Sequence, residues 1–135
     1  MTDFTREGRD FIVSRFNPSH RQLFLTSEAT PTNGTTKIEV YFGHVELMFL
    51  RPFYDGLHIR RATAAEFGVL HERHSIPAGD DAFTWMLERD GDSFVVASNP
   101  SWREAEYALM GDRQWLYDPS QPWPPEFPAE SGLVG

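Results

Sequence analysis

Apolar side chains alternate with polar ones along several short stretches of this chain, and this period of two constrains its fold more than any other feature. In the stretch 37–50, Ile38, Val40 and Phe42 alternate with polar neighbours, and the alternation resumes beyond Gly43. A period of two places alternate side chains on one face of a β-strand. Gly43 permits either a tight turn or a bulge in one long strand, and we predict a hairpin over 37–50.

Two further stretches carry the pattern of a β-hairpin. In 10–28, apolar residues flank an Asn-Pro turn sequence at 17–18. In 82–97, alternating residues flank an Asp-Gly pair at 90–91, which is typical of a two-residue type I′ turn. The two strands of a hairpin pair antiparallel, so the sequence predicts a strand-rich antiparallel sheet.

One helix is predicted with a defined start, and a second with an alternative. Thr63 and Glu66 have the spacing of a capping box, so a helix is predicted over 63–74. An Asn-Pro pair at 99–100 suits a helix start and favours a second helix over 100–110. The alternative is a hairpin over 107–117. With one or two short helices packed on the sheet, the predicted fold class is α+β.

Length and proline content suggest how the chain is divided. Its 135 residues fit one domain. From Asp118 onward, five prolines fall within eleven residues, and proline interrupts both helices and central strands. We therefore predict a globular domain over 1–117 and a proline-rich tail over 118–135 that is either docked, through Trp123 and Phe127, or disordered.

The chain contains no cysteine, which excludes disulfides and thiolate metal sites within it. Its first ten residues are polar and charged, unlike the apolar region of a secretory signal. The longest apolar run, over 45–50, is far shorter than the roughly 20 residues that a membrane-spanning helix needs. These features favour a soluble, cytoplasmic protein.

Negative charge is concentrated in the C-terminal part of the chain. The formal net charge is −8, and residues 76–135 hold 11 acidic residues against 3 arginines. A field of this sign repels nucleic-acid backbones and anionic membranes and attracts basic proteins. We therefore predict a basic protein partner and neither a nucleic acid nor a membrane.

The predicted partner surface consists of eight carboxylates with one aromatic anchor. These residues are Asp80, Asp81, Glu88, Asp90, Asp92, Glu104, Glu106, Asp112 and, as anchor, Trp102. Carboxylates on loops steer a basic partner, and tryptophan is enriched at binding hot spots. The function predicted first is a non-enzymatic protein-binding module, an inhibitor of the kind that acts as an immunity protein by occluding a bacterial toxin.

Two other functions compete with this prediction. Trp102, Trp115 and Trp123 lie in polar surroundings and could line an aromatic pocket, as in a small-ligand-binding module. His71 and His74 share a face of the predicted 63–74 helix, so a histidine-based metal enzyme is the third hypothesis. The H-E-x-x-H zinc motif has one more residue between its histidines. No G-x-S-x-G, P-loop or dinucleotide motif occurs in the sequence, and no catalytic residue or cofactor is predicted.

Overall fold

Nine antiparallel strands form one sheet in a computed structural model, which describes residues 2–135. In chain order the strands are β1 Phe4–Asn17, β2 Gln22–Ser27, β3 Thr36–Phe42, β4 Leu47–Phe49, β5 Phe53–Arg61, β6 Thr84–Met86, β7 Phe94–Val96, β8 Ser101–Glu106 and β9 Ala129–Leu133. The order across the sheet is β4-β7-β6-β5-β1-β2-β3-β8-β9. The predicted strand-rich antiparallel architecture is confirmed, and helices are a minor component.

The sheet encloses its main core on one face because it bends at two long strands. β1 shifts register between Val13 and Arg15, the signature of a bulge. β5 pairs with β1 up to Ile59 and then with β6 through its last two residues, so it belongs to both halves of the sheet. We call the face that carries this core the inner face and the opposite one the outer face. The largest fully buried side chain is Trp85, on β6.

Two of the three predicted hairpins are present. β1 pairs with β2 as predicted for 10–28, and β6 pairs with β7 as predicted for 82–97. The predicted two-residue turn in the second hairpin is wrong. The strands are joined by a loop over 87–93, closed by a hydrogen bond from the Leu87 amide to the Ser93 carbonyl. Asp90 and Gly91 lack the positive φ angles that a type I′ turn requires.

The predicted hairpin over 37–50 is wrong. β3 pairs with β2 and β8, whereas β4 pairs with β7 at the far edge of the sheet. Between them His44 adopts a positive φ of 53°, and the Val45 amide donates to the carbonyl of Arg21. Ile38, Val40, Phe42 and Val45 are buried in the main core, whereas Leu47 and Phe49 on β4 are exposed. Alternation identifies such strands, but it does not identify their partners.

The first predicted helix is confirmed as α1, Ala64–His74, which buries Phe67 and Leu70. The capping box is formed: the Glu66 amide donates to the Thr63 hydroxyl over 3.2 Å, and the Thr63 amide donates to the Glu66 carboxylate over 2.8 Å. Ser75 ends the helix in the left-handed conformation, with φ of 57°. Two short 3₁₀ segments, Ala78–Phe83 and Tyr107–Leu109, complete the helical content of residues 2–135.

The predicted helix over 100–110 is wrong, and so is the alternative hairpin over 107–117. Residues 101–106 form β8, which pairs with β3 and β9, and no strand occurs between 107 and 117. Asn99 does not cap a helix; its side-chain amide donates to the carbonyl of Val134. The local helix-start signal is overridden because the chain after β9 returns to this point.

The proline-rich segment crosses the outer face and ends in β9. Trp123, Phe127 and Ala129 pack against a small cluster, separate from the main core, that includes Met110 and Leu116. β9 then pairs with β8, and Val134 joins the main core. The boundary at residue 118 stays a prediction. Over residues 2–135, the structure has no helix with the length and apolar character to traverse a bilayer.

Candidate ligand site

The outer face of β3 carries charged residues where a solvent-exposed sheet face would be expected. Ile38 and Val40 point into the inner core, so Lys37 and Glu39 point outward. Nevertheless Lys37 is 5 % exposed and Glu39 is fully buried. Buried charges are costly unless they are paired and hydrogen-bonded. The covering layer must therefore supply partners for them.

That covering layer is the segment 107–128, which we call the strap. The Leu116 amide donates to Glu39 Oε2 over 2.6 Å, and Lys37 Nζ donates to the carbonyl of Gln114 over 2.9 Å. From β8, Arg103 Nη1 donates to the carbonyl of Leu116 over 2.8 Å. The strap has no strand partner of its own here, so side chains of the sheet satisfy its backbone.

Within the strap, the Arg113 side chain fixes the backbone conformation. It is 8 % exposed, and its guanidinium donates to the carbonyls of Trp115, Leu116 and Pro122. A single rigid fork can bridge residues that are far apart in a segment without regular structure. The strap is thus fixed both to the sheet and to itself.

Burial raises the pKa of Glu39 above its ordinary value, and four neighbours oppose that shift. The largest opposing contribution is the Leu116 amide, followed by Lys37 at 4.0 Å, the Tyr117 amide and Arg15 at 3.4 Å. A carboxylate that accepts backbone N–H groups is stabilised in its charged form. Glu39, on β3, therefore links the strap to the sheet and contacts Arg15 of β1.

A groove of about 900 Å³ opens between the strap and the outer ends of β1, β2 and β3. We call it the outer groove. Its floor is made of Phe24, Tyr41 and Tyr117, whose ring centroids are 5.1, 5.4 and 5.9 Å apart. Gln22 donates to the Tyr41 hydroxyl over 3.2 Å, and the hydroxyls of Ser101 and Tyr117 are 2.7 Å apart. Burial raises the pKa of Tyr117 to about 12, so this hydroxyl is neutral at physiological pH.

Arg15 stands at one side of the groove between two aromatic rings. Its guanidinium carbon lies 3.9 Å from the ring centroid of Phe24 and 4.0 Å from that of Trp115. Arginine stacked on aromatic faces gains cation–π attraction while its edge stays available for hydrogen bonds. The bulge in β1 lies directly before Arg15 and directs this side chain to the outer face.

Arg103 is held in the same way across the groove. Its guanidinium carbon lies 4.1 Å from the Tyr117 ring and 4.3 Å from the Trp123 ring. Both rings belong to the strap, so the strap supplies both aromatic contacts of Arg103. The outer groove therefore combines a fixed aromatic floor with two oriented guanidinium groups, an arrangement suited to stacking and hydrogen bonding with a ligand.

The carboxylates predicted from sequence occupy several separate elements. Glu88, Asp90 and Asp92 lie on the 87–93 loop, where Arg51 reaches Glu88 at 3.9 Å and Asp92 at 3.5 Å. Asp80 and Asp81 lie in the first 3₁₀ segment, Glu104 and Glu106 on β8, and Asp112 in the strap. Between β6–β7 and β8 the sheet order interposes β5, β1, β2 and β3.

Trp102 and Glu104 are engaged inside the protein. Trp102 is half-buried on β8, with its ring centroid 5.7 Å from that of Phe4. The carboxylate of Glu104 lies 3.1 Å from Arg6 and 3.8 Å from Arg9. Both side chains therefore have contacts within the protein.

His71 and His74 lie on α1 as predicted, but each ring packs against a neighbouring aromatic ring. His71 stacks on Phe67 at 5.9 Å, and His74 lies 5.2 Å from Phe94. Across residues 2–135, no group of three or more histidine, cysteine, aspartate or glutamate side chains is placed to hold a metal ion.

Sequence reasoning missed the two arginines and both tyrosines of the outer groove. One signal for a covered outer face is visible in the sequence. Lys37 and Glu39 are charged residues of the most strongly predicted strand, and the aromatic residues of the strap follow far along the chain. Trp123, predicted as a pocket residue, does line the groove. No protein-family model, curated protein sequence or solved structure shows significant similarity to this chain.

Proposed function

We propose that this protein binds a small organic ligand non-covalently in the outer groove. The observation that carries the proposal is a groove of about 900 Å³ with an aromatic floor, built on a sheet whose core lies on the other face. Ligand sites commonly span about 300–1,000 Å³, with aromatic walls and a few placed polar groups.

Rigid support of the groove favours a binding role. Tyr41 sits on a central strand, and Tyr117 is fixed because the backbone around it is held by Glu39 and Arg103. Pre-organised side chains lose little conformational freedom when a ligand arrives. The groove side chains offer stacking and hydrogen bonds, so the proposal is a binding module without a reaction.

The proposal is tested by incubating the purified protein with a small-molecule extract of cells that express it. Compounds that co-elute with the protein on gel filtration are identified by mass spectrometry. We expect a compound to be retained by the wild type and lost from Tyr41→Ala, which removes part of the floor. Phe83→Ala is the matched control, because Phe83 is 45 % exposed and outside the groove. Equal retention by all three proteins contradicts the proposal.

The acidic protein-binding surface is a second candidate. Of the eight carboxylates predicted for this surface, four are exposed and have no ion pair within residues 2–135: Asp81, Asp90, Glu106 and Asp112. They leave an uncompensated negative field for a basic partner. An inhibitor of the immunity-protein kind would use such a field to occlude its target.

This second candidate is tested by capture of proteins from a native lysate at low and high salt. It requires one basic partner that is retained at low salt and weakened at high salt, because exposed charges are screened. Reversal of Asp90 and Asp92 to Lys must weaken the same partner. Unchanged capture by that variant rejects the acidic surface.

A further inference from the structure

We propose that the outer groove selects ligands in which a flat ring carries a compact anionic group, a carboxylate, phosphate or sulfonate. This inference rests on the proposed binding function and names the ligand class. The anionic group would meet Arg15 and Arg103, and the ring would stack on the floor formed by Phe24, Tyr41 and Tyr117.

The charge of the groove is the first argument. Two arginines line it. The buried Glu39 beneath Arg15, at 3.4 Å, is shared with Lys37 at 4.0 Å, and the one carboxylate at the groove surface is Asp118. That carboxylate already accepts hydrogen bonds from the Ser120 amide at 2.9 Å and the Ser120 hydroxyl at 2.7 Å. The groove is thus locally cationic in a chain whose formal net charge is −8. A cationic site in an anionic protein concentrates the field on an anionic ligand.

Unused hydrogen-bond donors are the second argument. A guanidinium group carries five N–H donors. Within residues 2–135, Arg15 makes one hydrogen bond, from Nη2 to Glu39 at 3.4 Å, and its side chain, which lines the groove, is 31 % exposed. Arg103 makes one, to the carbonyl of Leu116. An anionic group would accept charge-assisted hydrogen bonds from the guanidinium donors that have no acceptor in the protein.

The stacking of the two arginines is the third argument. Each guanidinium carbon lies 3.9 to 4.3 Å from the centroids of two rings, so the side chain is restrained before a ligand binds. A fixed planar fork matches a planar or tetrahedral oxyanion better than a mobile lysine does. Burial lowers the pKa of both arginines, which marks a desolvated positive charge that an anion would stabilise.

The test compares two probes that differ by one anionic group. 1-Anilinonaphthalene-8-sulfonate and N-phenyl-1-naphthylamine share their rings, and only the first carries a sulfonate. We expect fluorescence titration of the wild type to show about tenfold tighter binding of the sulfonate, as one charge-assisted contact predicts. Arg15→Met and Arg103→Met must each reduce that preference. Arg89→Met is the matched control, since Arg89 is exposed, pairs with Glu7 and lies outside the groove.

Salt provides a readout that needs no variant. Added NaCl must weaken binding of the sulfonate to the wild type and leave the neutral probe unchanged. If both probes bind equally and Tyr41→Ala weakens both, anion selection is overturned while the binding function stands. If neither probe binds, or if Arg89→Met lowers the preference as much as the groove variants do, the inference is rejected.

Discussion

At the scale of single residues, Glu39 determines how the outer face is built. It is fully buried, yet it accepts the strap amides and lies 3.4 Å from Arg15 and 4.0 Å from Lys37. Removing one member of such a group leaves buried charges without a partner, which is costly. An apolar residue at this position would cover the same surface but would leave the Leu116 amide unsatisfied.

Glu39 also predicts a pH dependence of stability. Burial raises its folded-state pKa above the ordinary value of 4.5, so the folded state binds its proton more tightly than the unfolded state does. The contribution of Glu39 to stability is therefore largest below pH 4.5 and is lost as the pH rises through the raised pKa. The variant Glu39→Gln keeps an acceptor for the Leu116 amide and cannot titrate.

The quantity to compare is the free energy of unfolding of the wild type minus that of Glu39→Gln. We expect this difference to fall as the pH rises from about 4.5 and to level off above the raised pKa of Glu39. Urea denaturation of both proteins across this pH range measures the difference. A difference that grows with pH would mean that Arg15, Lys37 and the strap amides outweigh the burial of the carboxylate.

At the scale of elements, β9 depends on a close approach that only glycine permits. A Cβ atom at Gly132 would lie 2.5 Å from Nε1 of Trp102 and 2.8 Å from Cε2 of the same indole. Trp102 is itself packed against Phe4, so the ring cannot move away freely. The register of β8 and β9 places Trp102 opposite Gly132 and fixes this contact.

We therefore expect Gly132→Ala to lower the free energy of unfolding by about 1–3 kcal/mol, the usual cost of overpacking. Gly68→Ala is the matched control: it lies within α1 with nothing within 4 Å of the added Cβ, and alanine favours a helix by roughly 0.5–1 kcal/mol. Thermal or urea denaturation should give the two substitutions opposite signs. A neutral Gly132→Ala would contradict the described packing of β9 on Trp102.

Elements also show what could be predicted from sequence. The sequence predicts α1 to within a residue because its capping box is local: Thr63 and Glu66 are three residues apart and satisfy each other. The alternating pattern predicts β4 as part of a strand but not its pairing, because its partner β7 lies more than forty residues away. At 100–110 a local helix signal lost to long-range pairing of β8 with β3 and β9.

The candidate site was harder to predict than the fold. Arg15 and Arg103 approach one groove because β1, β2, β3 and β8 are consecutive in the sheet, and a hydrophobic pattern carries no information on strand order. The strap adds a second obstacle. Its proline-rich composition is typical of an extended or disordered segment, and its docking depends on buried polar groups of the sheet.

At the scale of the whole molecule, the C-terminal segment closes the structure. Val134 is buried in the main core, and the Gly135 amide donates to the carbonyl of Thr2 over 2.8 Å. β9 covers the edge of β8, and the strap covers Lys37 and Glu39. The two chain ends and the outer face are therefore coupled through one segment.

This coupling gives a direct test of the domain boundary at residue 118. A chain that ends at Tyr117 loses β9 and the burial of Val134, a side chain whose burial alone contributes about 1.5–3 kcal/mol. We expect its urea midpoint to fall well below that of the full chain. Unchanged cooperative unfolding of the truncated chain would instead support an independent domain over 1–117.

The central claim, that the outer groove is the binding site, is tested most directly by mapping where a ligand binds. Amide chemical shifts of the ¹⁵N-labelled full chain would be followed by NMR during titration with 1-anilinonaphthalene-8-sulfonate. We expect the largest shifts to cluster at Arg15, Tyr41, Arg103 and Tyr117 and along the strap. Shifts centred instead on the exposed apolar residues of β4 and β5, or on the 87–93 loop, would contradict it.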